Sequence, residues 1–309
     1  MNKRFFLFFI LFAVFLVDMA EAREAAFTTR RRTRYRYEII YSAGATNFLG
    51  DLGGADRIGT NLLRDLEFRA TRPVIGVGLR YKDSPYFALK GTLNMGMLYG
   101  NDNLTKEIFR QNRNLNFRSP IIELGGVIEG YFTKEQPGHL YRIKNAKGIR
   151  RNDIQAYGFL GVGVSFFNPK GKDQAGAWVA LQPLGTEGQG IDPLKKKYSR
   201  FTVVFPMGIG VKYKIDRRWS AGMDIGMRKT LTDYLDDVSG NYFDNNRIRT
   251  ERGDVAAYLA DPSLGNTFPQ GAADMDDQRG DPKDKDAYMF VTFNANYKFY
   301  RRKRTRSKF

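Results

Sequence analysis

Polarity alternates with a period of two over long stretches of the chain, and the clearest run is residues 201–228. In its first half Phe201, Val203, Phe205, Met207, Ile209, Val211 and Tyr213 share one face, and Thr202, Gly208, Gly210, Lys212 and Lys214 share the other. After a polar turn, Ile215-Asp216-Arg217-Arg218, the alternation resumes. Trp219, Ala221, Met223, Ile225 and Met227 now oppose Ser220, Gly222, Asp224, Gly226 and Arg228. Successive strand residues point to opposite faces, so the pattern predicts a β-hairpin and not a helix. Each strand exceeds the roughly 9–11 residues that a tilted strand needs to cross a bilayer. Aromatic residues flank the apolar face, as they do at the two interfaces of a membrane barrel.

The same alternation recurs along the chain. Residues 37–47 place Tyr37, Ile39, Tyr41, Ala43 and Ala45 outward and Glu38, Ser42, Gly44 and Thr46 inward. Residues 73–81 place Ile75, Val77 and Leu79 outward and Gly76, Gly78 and Arg80 inward. After a turn at Lys82-Asp83-Ser84-Pro85, Phe87, Leu89, Leu93, Met95, Met97 and Tyr99 oppose Lys90, Thr92 and Asn94. In residues 120–132, Ile122, Leu124 and Ile128 oppose Glu123 and Glu129. Residues 154–167 are rich in glycine, and their facing is open. In residues 287–300, Met289, Val291, Phe293, Ala295, Tyr297 and Phe299 oppose Thr292, Asn294, Asn296 and Lys298. Its alternating end, Phe293 to Phe299, looks like the closing-strand signal read by barrel-insertion machinery.

The fold expected is therefore all-β: a closed antiparallel transmembrane β-barrel of about eight strands. Long connections follow the first, third, fifth and seventh strands, and shorter ones the second, fourth and sixth. Outer-membrane barrels have short periplasmic turns and long extracellular loops, so this alternation predicts both termini in the periplasm. A soluble β-sandwich also alternates, but its strands are usually shorter. An eight-stranded barrel has an interior just filled by side chains. Glu38, Glu123, Glu129 and Asp224 face that interior with Arg80, Lys90, Lys212 and Arg228. Unpaired charge there is costly, so a closed, salt-bridged lumen is expected rather than a channel.

Charge and targeting sharpen this picture. Residues 1–22 read as a signal peptide: Lys3 and Arg4, an apolar run from Phe5 to Val17, then Ala20-Glu21-Ala22 before the cleavage point. Residues 23–36 form a basic periplasmic lead-in, 37–300 the barrel, and 301–309 a basic periplasmic tail. The 309 residues carry a net charge of +17, concentrated near the two ends, and no cysteine. Disulfides and thiolate metal sites are thus excluded. For an exported chain the partners expected are anionic lipid or an acidic protein face, not nucleic acid. Arg301, Arg302, Lys303, Arg304, Arg306 and Lys308 are the candidate partner contact.

No catalytic constellation stands out. The single histidine, His139, sits in a connection with no assignable partner. No phosphate-binding glycine loop occurs; Gly76/Gly78, Gly161/Gly163 and Gly208/Gly210 read as lumen-facing or bend positions. The long fourth loop is rich in aspartate but lacks EF-hand spacing, so it reads as a solvated acidic loop without a metal or cofactor. Its Arg252-Gly-Asp254 and Arg279-Gly-Asp281 match an adhesion tripeptide at the level of chance. Residues 61–67 suggest a short helical turn. Leu194-Lys-Lys-Lys197 is either a loop contact or a strand entry, and Thr232 to Asp237 either folds over the barrel mouth through Asx turns or forms a recognition surface.

Several blocks carry a resemblance. They are Tyr41-Ser-Ala-Gly-Ala-Thr-Asn-Phe-Leu-Gly-Asp-Leu-Gly-Gly54, Lys90-Gly-Thr-Leu, Ser119-Pro-Ile-Ile-Glu123 and Lys197-Tyr-Ser-Arg-Phe201. The longest is Arg228-Lys-Thr-Leu-Thr-Asp-Tyr-Leu-Asp-Asp-Val-Ser-Gly-Asn-Tyr242. Together they resemble the PorG-like outer-membrane β-barrel family of the Bacteroidetes type IX secretion system. That resemblance implies a non-enzymatic outer-membrane barrel that contacts a periplasmic ring of a lipoprotein and its partner subunit, in protein export and in some bacteria in gliding. The alternative is an outer-membrane barrel of unrelated duty, binding a surface partner or small solute through its long loops.

Overall fold

The computed structural model describes residues 35–50, 52, 68–104, 108–133, 153–216, 218–264, 277–282 and 284–300. The signal peptide, nearly all of the basic lead-in, the basic tail, the predicted helical turn at 61–67 and His139 lie outside these residues.

Strands form where the alternation predicts them. They are β1 (Tyr35–Leu49), β2 (Arg72–Lys82), β3 (Phe87–Asn101), β4 (Asn116–Tyr131) and β5 (Ile154–Phe167). Two short strands follow, β6 (Lys170–Lys172) and β7 (Trp178–Ala180), then β8 (Phe201–Lys214), β9 (Trp219–Thr230) and β10 (Ala287–Tyr300). The sheet runs β3-β2-β1-β10-β9-β8-β5-β4, and β4 pairs back with β3. Every one of these pairings is antiparallel, so the chain closes an eight-stranded barrel. Closure leaves no barrel edge unpaired, and this is what allows strands to cross lipid. β6 and β7 extend the β4 ladder as a hairpin above the barrel, with Lys170 opposite Arg118.

Several strands run past their predicted limits at the end that carries the long connections. β4 begins at Asn116 and not at Pro120, because its ladder with β3 continues to Asn101. The open facing of β5 is settled by burial. Ile154, Val162 and Val164 face out, and Gln155, Tyr157, Phe159, Ser165 and Phe167 face in. Glycines of the neighbouring strands make room for the inward rings. A Cβ on Gly210 would lie 2.5 Å from the Tyr157 ring, and one on Gly208 would lie 2.7 Å from the Phe159 ring. Both are closer than packed carbon atoms approach.

The long connections are more structured than the sequence suggested. Residues 102–115 contain α1 (Ile108–Arg113), and 231–286 contain α2 (Asn245–Arg252) and α3 (Asp254–Ala260). Asp244 starts α2 by accepting the N–H groups of Asn246 and Arg247 at 3.0 and 3.2 Å, which satisfies donors left free at a helix start. Gly253 separates the two helices with a φ of +88°, a conformation that favours glycine. Ile248, Ala256, Ala257 and Ala260 then bury against one another, with Leu184, Ile191 and Phe243 around them. Both helices are short, eight and seven residues. Burial contributed by a different loop holds them, and no local pattern could announce it.

Candidate functional site

Two features could do chemistry or recognition: the charged lumen and the cap at its mouth. The lumen is built by strand register. Glu38 on β1 pairs directly with Arg80 on β2, and Arg80 pairs with Lys90 on β3. The Arg80 guanidinium donates from Nη1 to Glu38 at 2.7 Å, and from Nε and Nη2 to the two oxygens of Glu129 at 2.7 and 3.0 Å. The second contact is the bidentate fork that makes arginine–carboxylate pairs strong. Lys212 reaches Glu38 at 3.1 Å from the far wall, and Lys90 lies 3.0 Å from both Glu129 and Asp224. Glu38, Glu129 and Asp224 thus meet Arg80, Lys90 and Lys212 within one buried cluster, and buried Lys82 lies beside it, 4.8 Å from the Tyr131 ring centre and bonded to Gln155.

Glu123 and Arg228 sit apart from it as a second, looser pair at 3.4 Å. The structure therefore brings all eight of these inward residues into ion pairs, in two groups. Tyrosines complete both. Tyr131 donates to Glu129 at 2.7 Å, Tyr288 donates to Glu123 at 2.6 Å, and Tyr157 donates to Asp224. Sequence reasoning missed these phenols. Tyr157 lies on the strand whose facing was open, and Tyr131 and Tyr288 sit near strand ends where alternation is least informative. A cavity of about 30 Å³ remains between the two groups. It is large enough for a water or two and too small for a solute path.

The mouth is closed by an apolar layer and a polar cap. Phe48, Val74, Leu98, Phe117, Phe167, Val204 and Phe290 point inward from the strand ends and meet Leu52, Leu115, Leu235 and Val238 from the connections. Residues 232–237 therefore fold over the mouth. Asp236 accepts the N–H groups of Val238 at 3.0 Å and Leu52 at 3.1 Å, and Asp286 accepts that of Leu235 at 2.9 Å. Asp237 holds a left-handed backbone, φ +69°, and accepts hydroxyl protons from Thr186 and Tyr198, each at 2.5 Å. Glu187 accepts from the Ser239 N–H at 2.9 Å and pairs with Arg279 at 3.0 Å. Arg279 also donates to the Asp237 carbonyl at 2.6 Å. Arg113 binds Asp102 and donates to the Arg279 carbonyl at 2.6 Å, which ties residues 102–115 into the same network.

This arrangement corrects the picture of a solvated acidic loop. Asp233, Asp236, Asp237, Asp261 and Asp286 are buried. Most of them cap backbone N–H groups that have no strand or helix partner, which is how an irregular loop can be buried at all. No group of acidic side chains among the described residues has a metal-holding arrangement. Burial pushes the Asp237 carboxyl up to about 6, with Arg279 and the two hydroxyl donors opposing it. Burial and the adjacent Asp237 push the Tyr198 phenol well above its ordinary value. Arg279 of the second adhesion-like tripeptide is buried in its ion pair and so is not presented. Leu194 stands at an exposed turn, while Lys195 and Lys197 reach back to the carbonyls of Glu187 and Pro183 at 3.0 and 3.1 Å. The candidate contact residues Arg301, Arg302, Lys303, Arg304, Arg306 and Lys308 lie outside the described residues.

The outer wall defines the class. Ile75, Val77, Leu79, Leu89, Leu124, Ile209, Val211 and Phe293 are all at least 49% or more exposed apart from their neighbours in the sheet, and they form a belt around the barrel. At the end of the short turns the belt finishes in aromatics: Tyr37 beside Tyr81 at 5.2 Å, Trp219 beside Tyr297 at 5.0 Å, and Phe299 beyond. No helix among the described residues is long and apolar enough to span a membrane. A closed sheet with an apolar exterior and interfacial aromatics is a transmembrane β-barrel.

Comparison with known proteins adds outlines only. No protein-family model matches the chain, and no curated protein matches it in sequence. Among solved structures it is similar to Ail, the attachment invasion locus protein of Yersinia pestis, with 9% identity, 85% of this chain and 99% of that one covered, and a TM-score of 0.34. It is similar to Neisserial surface protein A at 10% identity, covering 86% and 98%, with a TM-score of 0.35. It is also similar to Escherichia coli outer membrane protein W at 13% identity, covering 86% and 100%, with a TM-score of 0.33. The barrel assignment rests on this chain's own strand pairing.

Proposed function

We propose that this barrel is a non-enzymatic outer-membrane component of the type IX protein secretion machinery, and of gliding where that machinery serves it. On this reading it contacts the periplasmic ring formed by a lipoprotein and its partner subunit. The observation that carries the proposal is the block at residues 228–242, with its resemblance to the PorG-like family. Its place in the fold supports a dedicated role: Arg228 pairs in the lumen, and Leu235, Asp236, Asp237 and Val238 build the cap. The filled lumen, with its carboxylates paired to cations, supports action through surfaces and not through transport. The short turns and both termini then face the periplasm, and the basic tail from Arg301 to Lys308 meets the ring.

The test is affinity purification of the tagged chain from outer membranes under gentle conditions. Recovery of ring subunits, lost on removal of residues 301–309, supports both the function and the docking tail. Recovery independent of the tail keeps the function and moves the contact to the turns. A lone barrel, together with normal export of sorting-domain cargo after gene deletion, overturns the proposal. A second reading, binding of a surface partner or small solute through the loops, is favoured by how fully the cap is ordered around Glu187, Asp237 and Arg279.

A further inference from the structure

Arg80, Lys90, Lys212 and Arg228 in the lumen and Arg113 and Arg279 in the cap have carboxylate partners. One group at the loop end of the barrel has none among the described residues. At the loop end of the barrel, Tyr99 on β3 faces out in line with Met95 and Met97, and Arg118 on β4 is its direct cross-strand neighbour. The Arg118 guanidinium lies 4.3 Å from the Trp178 ring centre on β7. Lys170 on β6 is the cross-strand neighbour of Arg118, and Lys172 is that of Trp178. Arg72 starts β2 at an inward register position opposite Thr46, but its guanidinium lies 4.0 Å from the Tyr99 ring centre, where Nη1 also donates to the carbonyls of Arg69 and Thr71 at 3.1 and 2.8 Å. Four cations and two aromatic rings thus form one continuous ladder across five strands.

Among the described residues none of these four cations has an ion pair with a carboxylate. The carboxylate nearest in sequence, Asp173, accepts the N–H of Ala177 at 2.8 Å in its own hairpin turn. The ladder also sits at a defined depth. Immediately towards the barrel centre, Met97 pairs with Pro120 and Met95 with Ile122, which are lipid-belt positions. Aromatic rings at the belt edge mark the headgroup region, and arginine and lysine there lay their stems on apolar surface with the charge outward. The planar guanidinium matches the oxygens of a phosphate group, and stacking on Trp178 orders it for that contact.

We propose that Arg72, Arg118, Lys170 and Lys172 form a binding site for the phosphate of an anionic lipid headgroup in the leaflet bordering the loop end. Continuity with the lipid belt is what favours a lipid over an acidic peptide. The inference rests on the barrel's membrane crossing and not on its part in secretion, so the two stand or fall separately.

The test uses the full chain in nanodiscs of phosphatidylcholine, with or without equimolar phosphatidylglycerol, and counts retained lipids by native mass spectrometry. The wild type should retain phosphatidylglycerol in preference to phosphatidylcholine. R118Q/K170Q should lower that preference by about fivefold for each charge removed. R118K, which keeps the charge but loses the planar fork and its stacking on Trp178, should restore only part of it. A control pair at the opposite end, K214Q/R218Q, removes the same charge and should leave the loop-end retention in place. Folding of each variant is read independently from its heat-modifiable migration. No preference in the wild type, equal loss in both charge-removing pairs, or displacement of the lipid by millimolar inorganic phosphate would each overturn the proposal. Displacement by an acidic peptide in place of a lipid would do so as well.

Discussion

Replacing Arg80 by methionine should destabilise the barrel more than any other single lumen change. Arg80 is fully buried and meets two carboxylates, Glu38 and Glu129, each at 2.7 Å. At an effective dielectric of about 20, each contact amounts to about 6 kcal/mol of attraction before desolvation is counted. Removing one partner of a buried pair leaves the other uncompensated and typically costs about 3–5 kcal/mol. Here Lys212 still bonds Glu38 and Lys90 still bonds Glu129, which sets the expectation at the lower end, about 3 kcal/mol. Deleting a neutral pair, R80M/E129M, removes both desolvation costs together and should recover at least half of that loss. Urea unfolding of the barrel refolded in detergent micelles reads this through tryptophan fluorescence, with Trp219 on a barrel strand and Trp178 on the cap hairpin. A loss under about 1 kcal/mol for R80M, or a double variant equal to the sum of the singles, would mean that the lumen charges are separately hydrated, and the account of a paired interior would fail.

Other consequences follow from the same geometry. The Asp237 carboxyl is raised from 3.8 to about 6, so the folded cap holds this proton more tightly than the unfolded chain does. Its stabilisation is full below about pH 4 and is lost as pH rises through about 6, a change of about 3 kcal/mol. Amide protection at residues 234–240, taken relative to the intrinsic exchange rate at each pH, should fall over that window in the wild type and stay flat in D237N; a flat wild-type protection profile would refute it. The lumen cavity of about 30 Å³ predicts no steady conductance in planar bilayers, and a resolved open level would contradict a sealed barrel. Leu235 is fully buried, so L235A should weaken the cap by about 2–5 kcal/mol. Proteolysis should then reach the cap while heat-modifiable migration of the barrel persists, and loss of both together would show that cap and barrel fold as one unit.

The strands were legible because a barrel wall imposes its pattern one residue at a time. Each outward position must suit lipid and each inward position must suit the lumen, so Ile75, Val77 and Leu79 against Gly76, Gly78 and Arg80 disclose a strand unaided. The charged inward set was legible for the same reason, and the narrowness of the lumen turned a face assignment into an expectation of pairing. β5 was not legible. Tyr157 and Phe159 point inward only because Gly208 and Gly210 on the neighbouring strand leave them room.

The cap was invisible to any local pattern. Its aspartates read as a solvated loop, yet Asp236 and Asp237 are held by partners as remote in the chain as Leu52, Thr186 and Tyr198. Arg279 pairs with Glu187 across 92 residues. The ladder of Arg72, Arg118, Lys170 and Lys172 likewise exists only once β3 lies between β2 and β4 and β6 adds to β4. By itself, then, the sequence determined the wall, because a wall is a one-dimensional pattern repeated strand by strand. The tertiary structure alone decided which lumen charges meet, how the mouth is closed and which cations lack a carboxylate partner among the described residues, because these depend on strand register and on contacts between distant loops that no run of neighbouring residues encodes.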